Sequence, residues 1–214
     1  MGLLDRIAPR RPDADVPVHM AAPEDPRFAT KALRKFLTSL TSRESPVLLD
    51  LGPVVGSNVS YFGEQLGCKI FVEDIYADLD RHVRQGKAGE LPAFMKQRFS
   101  QETGSVDGVL CWDLIDYLDK ESAQAMAVEL TRVLRPEGAL LGFFSTTQSP
   151  DTRYTKYIIA DDGMLKYRAY QGTRGRQTIF LNRDIIRLFS GLRVSDSFLL
   201  QNNLREILFR KPTA

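Results

Sequence analysis

Apolar and polar positions follow two different rhythms along this chain, and the switches between them mark its elements. From Asp25 onward Phe28, Leu33, Phe36, Leu37 and Leu40 recur near helical spacing until Thr41-Ser42-Arg43-Glu44-Ser45-Pro46 breaks the pattern, which predicts a first amphipathic helix. Short apolar runs and helical stretches then take turns. Val47 to Leu51 reads as a strand, Ser57 to Leu66 as a helix, Lys69 to Glu73 as a strand and Ala77 to Gln85 as a helix. Val106 to Trp112 reads as the next strand, and Ser122 to Leu134 as a helix closed by Arg135-Pro136-Glu137-Gly138. Ala139 to Ser145 reads as a further strand. This alternation predicts an α/β fold with a mostly parallel sheet covered by helices on both faces.

The ends of the chain depart from that rhythm. Residues 8–27 carry five prolines, Pro9, Pro12, Pro17, Pro23 and Pro26, which suits an extended arm over residues 1–27 ahead of a domain spanning 28–214. Residues 146–182 read as an insertion containing a β-hairpin, Lys156 to Ala160 and Leu165 to Tyr170, turned by Asp161-Asp162-Gly163. Such an insertion rises over the carboxyl edge of the sheet, where it would act with the arm as a substrate lid. A helix from Asn182 to Phe189, then Arg193 to Leu200 and Glu206 to Arg210 as an antiparallel pair, completes the reading.

Composition narrows the class. With 214 residues, 43% hydrophobic and 26% charged, the chain has the make-up of one globular domain. Its 29 basic and 27 acidic residues are mixed along the sequence, so no broad cationic field is available for nucleic acid, and DNA is not an expected partner. Cys68 and Cys111 lie in apolar runs and read as buried free thiols, which suits a reducing, cytoplasmic setting. Nothing resembles a signal-peptide core or a membrane span. His19 and His82 are isolated, with no metal-ligand spacing around them, so no metal site is expected.

The candidate chemistry lies at Leu48-Leu49-Asp50-Leu51-Gly52-Pro53-Val54-Val55-Gly56-Ser57-Asn58, an apolar strand running into a glycine-containing turn that opens a helix. In an open α/β sheet such a turn sits at the carboxyl edge, where bare backbone can approach a nucleotide-like ligand. Glu73 and Asp74 follow at the end of the second strand, where a carboxylate can accept hydrogen bonds from both hydroxyls of a ribose. Strand alternation sends these two acids to opposite faces, so one of them reaches the ligand.

Asp50 to Gly56 resembles the signature acid-apolar-Gly-x-Gly-x-Gly of the class I S-adenosylmethionine (SAM)-dependent methyltransferases. Val106-Asp107-Gly108-Val109-Leu110-Cys111-Trp112-Asp113 is similar to that family's fourth strand, and Leu134-Arg135-Pro136-Glu137-Gly138 to its helix end before the fifth. The resemblance implies a three-layer α/β/α Rossmann-like sandwich whose seven-stranded sheet has the order 3-2-1-4-5-7-6, with the last strand antiparallel. It also implies SAM as cofactor and S-adenosylhomocysteine as product. Asp50, Gly52, Pro53, Gly56 and Asn58 would line the amino-acid end of the cofactor, Glu73 or Asp74 would hold the ribose, and Trp112 and Asp113 would wall the site. Phe99, Ser100 or Gln101 would stand nearest the adenine, since the acid usual there has no clear counterpart. The middle glycine of the signature is replaced by Val54.

Blander readings remain beside these. Asp50 as a turn-stabilising carboxylate, Gly52 and Gly56 as conformational glycines, Asp74 as a solvated strand end with Asp78 capping the next helix, and Trp112 as core packing each satisfy the sequence. Methyl transfer depends chiefly on alignment, so no catalytic residue is assigned; His19, Asp113 and Tyr154 are unranked candidates for a base. A small-molecule acceptor is the expected partner, and a homodimer built through the arm stays open. The alternative is a non-catalytic protein that keeps the fold for binding or regulation. A nicotinamide oxidoreductase is disfavoured because its glycines would fall at Gly52, Val54 and Ser57.

Overall fold

The computed structural model of the chain describes residues 25–149, 153–170, 175 and 178–213. Most of the expected arm, including His19, lies outside the described residues, as do Arg174 and Arg176 of the insertion.

The central sheet is built from β2 (Val47–Asp50), β3 (Lys69–Val72), β4 (Val106–Trp112), β5 (Leu134–Ser145), β8 (Arg193–Leu199) and β9 (Leu204–Arg210). They lie in the order β3-β2-β4-β5-β9-β8, parallel from β3 to β5, with β9 antiparallel to both of its neighbours. The sheet therefore has six strands where the resemblance implied seven, and the order 3-2-1-4-5-7-6 does not apply as it stands. The place of a third strand is taken by α4 (Leu91–Met95) and the turn after it. Met95 and Phe99, both buried, are spaced four apart, while Lys96-Gln97-Arg98 between them is polar; such a run packs as a helix end and cannot alternate across a sheet.

Side chains on successive strand positions feed two cores, one on each face. Leu49, Val109, Cys111, Leu140, Ile207 and Phe209 join the core covered by α3 (Ile75–Arg84), α4, α5 (Lys120–Val133) and α6 (Asn182–Leu188). Leu48, Leu110, Trp112, Leu141 and Leu208 join the opposite core, beneath α1 (Leu33–Thr41). There α2 (Gly56–Ser60) runs on as a π-helical turn over Tyr61–Gln65 and contributes Phe62. Gly108 lets α1 approach the sheet: a Cβ there would lie 2.6 Å from Leu40 Cδ2 and 2.9 Å from Phe36 Cζ.

Three expectations shift at this level. Phe28 belongs to a short strand, β1 (Arg27–Ala29), and α1 begins only at Leu33. The hairpin forms as β6 (Thr155–Asp161) and β7 (Met164–Ala169), and β1 adds to it, giving a second sheet of order β1-β7-β6. The helix read as ending at Leu134 stops at Val133, because Leu134 already pairs with Val106 in the sheet.

Glu206 ties β1 and α1 to the sheet. Its buried carboxylate accepts the Thr30 hydroxyl and the Lys31 N–H, the latter at 2.8 Å.

Candidate functional site

Sheet register gathers the acids. Asp50 pairs with Val72 on one side and Leu110 on the other, so β2 and β3 end at one level and β4 runs two residues beyond them. Asp50, Glu73, Asp74 and Asp113 consequently share the carboxyl edge around the glycine turn, where open α/β sheets bind ligands.

The Asp50 carboxylate is buried and accepts the Gly52 N–H at 2.9 Å and the Trp112 indole N–H at 2.6 Å. Burial raises its pKa from 3.8 to about 6 against the pull of those two bonds, and the charge of Asp74 raises it further. Gly52 is required by close approach, since a Cβ would lie 2.9 Å from Trp112 Cδ1 and Nε1. Trp112 itself adopts a left-handed φ of 51°, a conformation that costs a bulky side chain free energy. The bond to Asp50 and a stacked contact with Tyr157, at 5.2 Å and 10°, hold it there. Pro53 is buried beside Gly52, whereas Gly56 is exposed with no atom within 4 Å of a Cβ position.

Asn58 is engaged by the hairpin. Its amide donates to the Tyr157 carbonyl and accepts the Ile159 N–H, both at 2.9 Å, so it docks β6 onto α2 much as a neighbouring strand would.

The two acids after β3 diverge as alternation requires. Glu73 bonds Arg98 at 2.6 Å and Gln101 at 3.2 Å. Asp74 caps α3 by accepting the Ala77 N–H at 3.0 Å, and also accepts the Tyr170 hydroxyl at 3.3 Å. Asp74, and not Asp78, is thus the cap; Asp78 is buried and paired with Arg81 and Arg98. His82, expected at the surface, is buried with its ring 4.6 Å from Phe94.

Asp113 accepts the hydroxyls of Tyr76 at 2.5 Å and Tyr157 at 3.0 Å. Burial raises its pKa, opposed by these bonds. Tyr76, Tyr117 and Tyr154 pack edge to edge around it, with Tyr154 raised to about 12 by burial and by the charge of Asp80. Nearby Asp116 accepts the Ser145 N–H at 2.7 Å, and burial pushes it well above the ordinary carboxylate range. Sequence reading singled out Tyr154 but missed Tyr76 and Tyr157, along with Arg98 and Asp116. Tyr154 and Tyr157 stand in an insertion whose placement over the sheet is a tertiary fact, and no local pattern announces which of its tyrosines turn inward.

Among the described residues three buried side-chain oxygens have no hydrogen-bond partner, Gln101 Oε1, Asp116 Oδ1 and Ser122 Oγ; the Gln101 amide itself sits on Glu73. Beside Asp113 lies a cavity of about 390 Å³ walled by Phe28, Tyr117, Tyr157 and Tyr167. Among the described residues no group of His, Cys, Asp and Glu is arranged to hold a metal ion, and no helix is long and apolar enough to cross a membrane.

Residues 49–142, which hold the glycine turn, the acids after β3 and the end of β4, match the model of a methyltransferase domain. Over this stretch the chain is similar to methyltransferase domains. Among solved structures, the fold is shared with the PH0226 protein of Pyrococcus horikoshii, at a TM-score of 0.53 and 17% identity over 84% of this chain and 88% of that one. It is shared also with the cyclase SpnF, at a TM-score of 0.51 and 12% identity over 85% and 80%. A 1,6-didemethyltoxoflavin N1-methyltransferase of Burkholderia thailandensis is similar at a TM-score of 0.46 and 16% identity, over 85% and 79%. No curated protein sequence matches the chain. Identities this low speak for the fold, and a fold of this kind hosts more than one reaction.

The residues around the glycine turn fit SAM, the cofactor that the sequence resemblance implies, in donor chemistry. Carboxylates stand at three adjacent strand ends, Gly56 leaves its face of the turn open, and Gln101 Oε1 waits for a donor next to Glu73. Trp112 over Gly52 and Tyr170 on Asp74 cover part of the same edge.

Proposed function

We propose that the chain is a methyltransferase that uses SAM and acts on a small-molecule acceptor, with the β6–β7 hairpin as its lid. The observation that supports this reading most directly is the gathering of Asp50, Glu73, Asp74 and Asp113 at the ends of three neighbouring parallel strands around one glycine turn.

When bound, SAM supplies a methyl group already activated on a sulfonium. The chain has then to bind, orient and exclude water. Asp50, Gly52, Pro53 and Gly56 serve the amino-acid end, and Glu73 or Asp74 the ribose. Gln101 gives the adenine amino group an acceptor in place of the family's acid. Asp113, fixed by two tyrosine hydroxyls, keeps the wall between cofactor and acceptor rigid. The adjoining cavity, about 390 Å³ with aromatic sides, suits a flat small molecule. Two buried free thiols agree with a reducing, cytoplasmic location.

A second reading, a protein that keeps the fold without turnover, draws on the cover formed by Trp112 and Tyr170. Calorimetric titration with S-adenosylhomocysteine separates the two. Saturable one-to-one binding is expected, weakened by Asp74→Asn, which keeps a capping side chain, and by Gly56→Val, which fills open space. The absence of binding at millimolar ligand would leave the second reading standing.

A further inference from the structure

The outer face of the hairpin is cationic in a way that costs the fold something. In β6–β7 Lys156 stands directly opposite Arg168 and Ile158 opposite Lys166, so the three cations share the face turned away from Tyr157, Ile159 and Leu165, which are buried in the core. Like charges directly opposite on a sheet repel. Arg168 is neutralised by Asp25 at 2.6 Å, and Lys156 lies 4.8 Å from the centre of the Tyr170 ring. Among the described residues neither Lys156 nor Lys166 has a carboxylate partner.

This face does not simply look onto solvent. Together with Val54, Val55, Gly56 and Ser57 of the glycine turn it forms an open cleft of about 510 Å³ that borders the proposed cofactor site at Gly56. Among the described residues its charged lining consists of Lys156, Lys166, Arg168 and Asp25, an excess of two positive charges. A carboxylate would match only half of that excess, whereas a phosphate monoester carries about −1.5 to −2 at neutral pH and offers three acceptor oxygens to ammonium donors. Val54 and Ile158 supply apolar surface for the body of such a molecule.

We propose that this cleft binds the phosphate group of a phosphorylated small molecule. That the molecule is the methyl acceptor rests on the function proposed above; the phosphate site itself does not. Lys156 and Lys166 are the primary ligands, and Arg168 a third once it releases Asp25.

The test is calorimetric titration of the whole chain with phenyl phosphate, with benzoate as the singly charged counterpart and S-adenosylhomocysteine in parallel, on the parent protein and on Lys156→Ala, Lys166→Ala and, as a distant surface control, Lys120→Ala. Saturable phenyl phosphate binding is expected, weaker by about tenfold in each of the first two variants, the loss that goes with one charge-assisted hydrogen bond, and unchanged in the third. Benzoate should bind more weakly than phenyl phosphate. Thermal unfolding of each variant checks that it is folded, and removal of either like-charged lysine should leave the midpoint unchanged or raise it. No saturation with the parent protein, or equal binding by all variants, would overturn the proposal. So would competition between phenyl phosphate and S-adenosylhomocysteine, which would give the cations to the cofactor's own carboxylate. Phenyl phosphate binding without S-adenosylhomocysteine binding would keep the phosphate site and discard the methyl-transfer reading.

Discussion

Gly52 and Gly56 flank the same turn yet carry different physical demands. An alanine at Gly52 drives its Cβ to 2.9 Å from the Trp112 indole, so Gly52→Ala should destabilise the protein by about 1–3 kcal/mol and loosen the indole from Asp50. Trp112 is the only tryptophan, so its fluorescence reports the loss directly. Gly56→Ala meets open space and should raise stability by about half a kcal/mol through the unfolded chain, as urea unfolding would show. Asp50 carries a second prediction. Its pKa of about 6 lies above its ordinary 3.8, so between these values the folded state holds a proton that the unfolded state has lost. The associated stability is present in full below pH 3.8 and is lost as pH rises through 6. Asp50→Asn keeps an acceptor for Gly52 and Trp112 and should flatten that fall, worth on the order of 3 kcal/mol, in urea midpoints measured from pH 4 to 7.

At the scale of elements, polar contacts from several segments hold the hairpin, among them Tyr157 on Asp113, Tyr170 on Asp74 and the Thr30 N–H on the Gly163 carbonyl. Asn58 alone supplies both a donor and an acceptor to the edge of β6, so Asn58→Ala should cost about 2–3 kcal/mol and speed hydrogen exchange at the Ile159 amide. If exchange at Ile159 stays as slow as at the β4 amides, the aromatic contacts hold the hairpin without Asn58. The element that sequence reading placed least well is the one after α3, where family resemblance implied a strand and Met95 and Phe99 instead pack at helical spacing. Phe28 misled for the related reason that one apolar residue fits either period, and only its partner Leu165 on β7 selects the strand.

For the whole molecule, the two faces of the sheet are reported by one thiol each. Cys111 is buried in the core beneath α3, α4, α5 and α6, and Cys68 in the core beneath α1. Burial raises both, Cys68 to about 11, and neither should react with a thiol reagent in the native state at neutral pH. If the sheet and both layers open as one cooperative unit, the two thiols become reactive at the same urea concentration; separate midpoints would mean that one layer opens first.

The alternation of strand and helix, the parallel core, the hairpin at Asp161-Asp162-Gly163, the antiparallel final pair and the glycine turn with acids after it were all determined by the sequence. These depend on side-chain period and on residues adjacent in the chain, which local physics constrains. The same applies to Asp50 and Asp74, since strand ends fix where they lie. The tertiary structure alone decided that the sheet stops at six strands, that Asn58 serves the hairpin, that Trp112 closes over Gly52, and that four tyrosines wall Asp113. Each of these is a contact between segments far apart in sequence, whose cost or gain depends on how the insertion seats against the sheet, and no periodicity within either segment encodes that seating.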